Sequence, residues 1–145
     1  WVITRQFGER IQKQQLISTL SGSSPIQQGI AHYLQFESYD NHLRKLRKQL
    51  QERQRVYSDY IHAHFSANCQ VVKPDGGYFL WLQLDKSIDS YELYNVLKRE
   101  GVSIGYGRLF SSQQQYQNCI RLNVSFSFDS EIEAALERIS ESLQK

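Results

Sequence analysis

Methionine is absent from this sequence, and its first residue is Trp1. A natural reading frame opens on Met, so the expectation is a piece of something longer. Cysteine is scarce. Cys69 and Cys119 lie far apart, form no CxxC pair, and read as reduced thiols of a cytoplasmic protein. Only 2 prolines and a charged fraction of 22 % argue against disorder. No apolar run is longer than about five residues, against the roughly 20 that a membrane helix needs, so no membrane partner is expected. The first residues show no apolar core followed by a small-residue cleavage site. Neither sign of charge dominates, with 17 basic against 15 acidic residues and a net charge of +2. What is present is 145 residues, 40 % of them hydrophobic, enough for one domain with its own core.

The charge is split along the chain. Residues 1–68 carry 9 basic and 5 acidic side chains, and residues 69–145 carry 8 and 10. Near Ala67-Asn68 a helical pattern also gives way to strand-like runs, which divides the chain into residues 1–67 and 68–145. In the first part, Tyr39 to Phe65 reads as one long helix. Leu43, Leu46, Leu50, Tyr57, Tyr60 and His64 recur at 3-4 spacing, with Arg53 the one charged member of the row. A shorter helix covers Ile26 to Phe36, with Ser24 as N-cap and Pro25 at the first helical position. The Gln-rich stretch from Phe7 to Leu20 is helical in composition.

The second part alternates. Gln70–Lys73 is a short strand ended by the Pro74-Asp75-Gly76-Gly77 turn. Tyr78–Leu84 reads as a strand buried on both faces at its centre. Asp89 or Ser90 caps a helix that runs to Glu100 and stops at Gly101. Val102–Ile104 is a strand, residues 105–117 a loop, and Cys119–Phe126 another strand. Ser130-x-x-Glu133 is a capping box for a last helix whose core face is Ile132, Leu136, Ile139 and Leu143. The fold class is therefore α/β: a small antiparallel or mixed sheet with helices on one face, preceded by a long helix.

Few residues suggest chemistry. Arg44, Lys45, Arg47, Lys48, Arg53 and Arg55 crowd one stretch and suit either a phosphate backbone or a solvated, internally paired helix face. His62 and His64 stand two apart on a helix, where their side chains diverge, so no metal site is expected. Gly105-x-Gly107 lacks the third glycine of a dinucleotide loop and reads as a close backbone approach to a neighbouring element. Arg121 lies in a strand, opposite in phase to Ile120 and Leu122. Its planar fork there needs a carboxylate or phosphate, supplied by a structural salt bridge or by a ligand. No nucleophile or general base can be picked out, so no catalytic residue is named.

Several runs nevertheless resemble a known family in order and spacing: Trp1-Val2, Ser23-Ser24-Pro25-Ile26-Gln27, Tyr39-Asp40-x-His42-Leu43-Arg44, Gly76-Gly77-Tyr78-Phe79-Leu80-Trp81, Gly105-x-Gly107-x-Leu109-Phe110 and Ile120-Arg121-Leu122. Together they are similar to the C-terminal third of pyridoxal 5'-phosphate-dependent aminotransferases of the aspartate aminotransferase fold. The Tyr-Asp-x-His-Leu-Arg run is most similar to the MocR branch of GntR-type transcriptional regulators. There a winged helix-turn-helix is fused to an aminotransferase-like domain that senses an effector.

The resemblance implies that residues 68–145 form the small C-terminal subdomain and that the helices of 1–67 connect it to a large cofactor domain. It implies that Arg121 grips the carboxylate of an amino-acid or amine effector or substrate. Ser23 and Ser24 would lie near the cofactor phosphate of a homodimer partner, and Tyr106, where many relatives have proline, near the substrate mouth. The Schiff-base lysine of the family lies upstream of the position matched by Trp1, and no lysine here sits in a matching motif. The cofactor would thus be bound by the intact parent and not by this piece, which should not transaminate alone. DNA binding would belong to a missing N-terminal domain. Two rivals stand beside the regulator: a metabolic aminotransferase without a DNA-binding arm, and a nucleic-acid-binding module using the Arg44–Arg55 face.

Overall fold

The computed structural model describes residues 6–19, 22–72 and 74–144. Trp1, Val2, Leu20 and Lys73, named above, lie outside the described residues. The chain forms two compact units, residues 1–43 and 44–145. The first holds α1 (Gly8–Thr19), α2 (Ser24–Phe36) and the start of α3 (Tyr39–His64). Neither α1 nor α2 buries a residue. The N-cap of α2 is Ser23 rather than Ser24, because Pro25 falls within the first two helical positions, and the Ser23 hydroxyl makes no capping bond.

The second unit starts within α3, at Arg44, and the last turns of that helix belong to its core. Tyr57, Ile61 and Phe65 are buried there, whereas His64 is exposed and stacks on Tyr60 at 4.1 Å. A strict 3-4 repeat drifts by about 20° per heptad on a straight helix. After three heptads the buried row has therefore moved from Tyr60 and His64 to Ile61 and Phe65. Arg53, the charged member of the row, donates to the Ser125 carbonyl and to Ser127 Oγ, which ties the helix to the chain beyond the sheet. The Tyr57 hydroxyl donates to the Phe126 carbonyl at 3.3 Å.

After α3 come β1 (Gln70–Val72), β2 (Phe79–Gln83), α4 (Ser90–Arg99), β3 (Gly105–Tyr106), a 3-10 turn (Gly107–Phe110), β4 (Cys119–Asn123) and α5 (Ser130–Ser142). The strands form one sheet of order β1-β2-β4-β3 in which every pair is antiparallel. Leu80, Leu82, Ile120 and Leu122 share one core with Tyr57 and Ile61 of α3, Leu93 and Leu97 of α4, and Leu136 and Ile139 of α5.

Three expectations are corrected. β2 is not buried on both faces: Leu80 and Leu82 are inaccessible while Phe79 and Trp81, which alternate with them, stay half-buried, so α3, α4 and α5 pack on one face. The strand expected at 102–104 begins instead at Gly105. The Val102 N–H is taken by the Leu97 carbonyl at the end of α4 (2.9 Å), so Val102 and Ile104 are buried without joining a ladder. The cap of α5 is Asp129, whose carboxylate accepts from the N–H groups of Glu131 and Ile132 at 3.1 and 3.0 Å, and Ser130 is the first helical residue. The stop of α4 stands as read, with Gly101 in the left-handed region at φ 81°.

Candidate functional site

The site grows from the sheet face opposite to the one on which α3, α4 and α5 pack. Alternation along β2 and β4 sends Phe79, Trp81 and Arg121 to this face, and Trp81 is the register partner of Arg121. On the far side of β4, Gly105 of β3 pairs with Arg121. The 3-10 turn that follows β3 carries Phe110 back over the sheet. The Arg121 guanidinium thus stands with the Phe79 ring centroid 4.0 Å from Cζ and the Phe110 centroid also at 4.0 Å. Phe110 is braced edge-on by Trp81 (5.6 Å, 71°), and Trp81 by Tyr116 (5.4 Å, 87°). Among the described residues no carboxylate lies within ion-pair distance of Arg121. Among the described residues the structural salt bridge left open by the sequence is not formed.

The loop that delivers Phe110 is fixed by buried polar groups. Ser90, wholly buried at the start of α4, donates its N–H to the Gln117 carbonyl (2.8 Å) and accepts from the Gly107 N–H at Oγ (3.3 Å). Leu84 and Asn118 bond twice, backbone to backbone at 2.8 Å and Asn118 Nδ2 to the Leu84 carbonyl at 2.6 Å. Gly107 is the close approach expected of it: a Cβ there would stand 2.0 Å from the Tyr116 carbonyl oxygen. Arg108, next in the turn, pairs with Asp89, whose other oxygen caps α4 through the Tyr91 N–H at 2.8 Å.

The other residues named from the sequence do not all converge here. Tyr106 pairs with Ile120, not Arg121, so its side chain goes to the opposite face. There it packs against the Tyr91 and Tyr94 rings of α4 at 5.1 and 5.2 Å. Ser23 and Ser24 belong to the first unit and are exposed. His62 and His64 are exposed, and the described residues hold no group of three or more potential metal ligands. The basic stretch is partly spent: Arg53 is tied as above, and Arg55 bridges Glu52 and Asp59 at 2.7 and 3.0 Å, which lowers the Glu52 pKa. Arg47 lines a separate cleft of about 410 Å³ with Leu50, Gln54 and the Asp75–Gly77 turn. Burial raises both thiols, Cys69 to about 11, so neither is poised as a nucleophile.

The sequence reading missed the aromatic clamp. Its signal was available in part, since Phe79 and Trp81 alternate with Leu80 and Leu82 as Arg121 alternates with Ile120 and Leu122. Phe110 was beyond reach, because it is contributed by a turn. The groups around Arg121, two rings and a bare glycine, suit a guanidinium and the carboxylate it would hold. Among the described residues, the rings that stand against Arg121 bring no amine for a carbonyl cofactor.

The sequence profile of the family described as aminotransferase class I and II matches residues 10–139. Over all 145 residues the chain is 34 % identical to the HTH-type transcriptional regulator YdcR of Escherichia coli, covering 31 % of that protein. It is 32 % identical over 120 residues to the HTH-type transcriptional regulator NorG of Staphylococcus aureus, covering 81 % of this chain and 26 % of NorG. The chain thus spans about a third or less of the length of these relatives. Among solved structures it is similar to LysN, the α-aminoadipate aminotransferase of Thermus thermophilus, complexed with N-(5'-phosphopyridoxyl)-L-leucine. That likeness has a TM-score of 0.78 at 20 % identity, over 94 % of this chain and 36 % of LysN. The aromatic aminotransferase of Pyrococcus horikoshii gives 0.76 at 20 % identity, over 94 % and 35 %. At such identities the structural likeness speaks for the fold. No helix among the described residues is long and apolar enough to cross a membrane.

Proposed function

This chain belongs to the aminotransferase class I and II family, and from that premise we propose that it is the C-terminal part of the effector-sensing domain of a MocR-type transcriptional regulator. In this reading Arg121 binds the carboxylate of an amino-acid or amine effector. Residues 68–145, with the end of α3 packed on them, are the small subdomain, and the preceding helices lead to the large one. The observation that carries the reading is the state of Arg121. Its guanidinium stands 4.0 Å from each of two ring centroids, is half-buried, and has no carboxylate partner among the described residues. A fixed guanidinium with no carboxylate beside it is a ready receptor for an anion. The regulator identity draws on the kinds of protein to which the sequence is similar over its whole length.

Pyridoxal phosphate, bound by residues upstream of this chain, would supply a carbonyl for the effector's amino group. What this chain adds is an anchor at the other end of the ligand. Arg121 fixes the carboxylate by two parallel N–H···O bonds and so sets the orientation of the molecule. Seating the ligand on Arg121 favours the arrangement in which the small subdomain is drawn toward the cofactor. By that difference in affinity it biases the DNA-binding arms of a cytoplasmic homodimer.

The test is titration of the full-length, cofactor-loaded protein and its Arg121→Ala variant with amino acids. Affinity is expected to fall by roughly 10- to 100-fold, the worth of a lost charge-assisted hydrogen-bonded pair. The cofactor absorbance should be unchanged. Equal affinity in the two proteins rejects the assignment. A parent with no winged helix-turn-helix, and with turnover in place of ligand-dependent DNA binding, would leave Arg121 as the substrate anchor of a metabolic aminotransferase.

A further inference from the structure

We propose that Phe79 and Phe110 make Arg121 selective for a planar carboxylate over a tetrahedral oxyanion such as a phosphonate, so that both rings are specificity-determining residues of the ligand site. The inference rests on the reading that Arg121 holds the ligand's acidic group. A guanidinium is flat, with two faces and a rim, and all its N–H bonds lie in the plane of the rim. Here a ring stands against it from either neighbouring strand's side. Phe79 comes from β2 and Phe110 from the turn after β3, the two strands that flank β4, and each ring centroid is 4.0 Å from Cζ. What is left for a ligand is the rim.

A carboxylate is matched to that rim. Its two oxygens lie in one plane and take two parallel in-plane hydrogen bonds, with nothing projecting above or below. A phosphonate or phosphate that places two oxygens on the rim must put a third out of the plane. Ring faces there offer no donor, and their negative quadrupole disfavours an anionic oxygen. The second charge of a phosphonate dianion would likewise go unmet, since the nearest guanidinium in sequence on the same loop, Arg108, is already paired with Asp89.

The clamp is built to hold still. Gly105 makes room for it, since a Cβ there would meet Phe110 at 3.2 Å and the Arg121 Cβ at 3.4 Å. Trp81 stands edge-on to Phe110, and the turn carrying Phe110 is pinned at Gly107 to buried Ser90.

The experiment uses the full-length protein loaded with pyridoxal phosphate. It is titrated calorimetrically with L-alanine, L-phenylalanine and L-glutamate and with the α-aminophosphonate counterpart of each. The wild-type protein should prefer the carboxylate by at least about tenfold. Phe79→Leu and Phe110→Leu should each shrink that preference, by up to roughly tenfold, and Phe110→Tyr should restore it because it keeps the ring face. A purely structural role would weaken both members of each pair by the same factor, so an unchanged ratio in both leucine variants overturns the proposal. Where Phe110→Leu does not fold, Phe79→Leu and Phe110→Tyr decide it alone. If Arg121→Ala abolishes binding while the ratio in the ring variants holds, only the clamp is wrong. If Arg121→Ala changes nothing, or no carboxylate binds, the functional reading fails and the clamp goes with it.

Discussion

The two faces of the sheet are made from alternate residues of the same strands, and they come to opposite conditions. On the helix side Leu80, Leu82 and Ile120 are entirely inaccessible and Leu122 nearly so, packed with aliphatic residues of three helices. On the other side Phe79, Trp81 and Arg121 remain half-buried, and the turn and loop that bring in Phe110 and Tyr116 lie against them. Aliphatic side chains stabilise through contact area in any orientation, whereas the rings and the guanidinium of the open face are set at defined angles. The first arrangement holds a fold together, and the second holds a charge in position. The difference teaches that stability and recognition in this chain are separated by the pleat, one residue apart along the strand.

That separation can be broken most forcefully from the helix side. Leu82→Ala removes a wholly buried side chain and should cost about 2–5 kcal/mol in urea unfolding, whereas Arg121→Ala should cost under about 1 kcal/mol. Comparable losses for the two would make Arg121 part of the scaffold and erase the contrast. The scaffold itself is sharpened next at α5. Asp129→Ala should destabilise by about 1 kcal/mol through the loss of two cap bonds, and Ser130→Ala by a few tenths, as read from thermal midpoints. A larger loss at Ser130 would reinstate the capping box there.

A further effect on the helix side is set by pH. Burial raises the Cys69 thiol to about 11 and also raises the Tyr57 hydroxyl, both on the helix side. Each is an acid whose folded form holds its proton beyond the unfolded value, so above pH 9 the unfolded chain binds fewer protons than the folded one. Stability is therefore full below about pH 9 and declines as pH rises toward 11. For Cys69 the loss is of the order of 1 kcal/mol once its incomplete desolvation is allowed for. Urea midpoints at pH 8 and pH 10.5 should differ less in Cys69→Ala than in the parent. An identical slope would place the titration elsewhere.

Much of the scaffold was legible before any coordinates. Local signals such as Asp89 before an apolar 3-4 repeat, Gly101 after it, and the strand-forming runs around Leu80 and Leu122 act within a few residues, and these elements formed near where they were read, though the last strand ends at Asn123 and not at Phe126. Where two local signals competed, reading failed by a residue or two. Asp129 and Ser130 are both good caps, and the backbone chose the one that can reach two free N–H groups. The 102–104 run has strand composition, but its first N–H was already claimed by the end of α4.

The site was legible only as a single residue. Alternation and charge mark Arg121 from the sequence, because a guanidinium in a strand must find an anion. Whether that anion was internal could not be read, since any acid in the chain might have been brought beside it. Residue order and periodicity were enough to specify the helices, the strands and the core face, because those depend on neighbours a few positions apart. The empty side of Arg121, the rings on its two flanks and the turning away of Tyr106 depend on which strands pair and in what register. Antiparallel order β1-β2-β4-β3 and the Gly105–Arg121 pairing are long-range facts, and they settle what stands beside the charge.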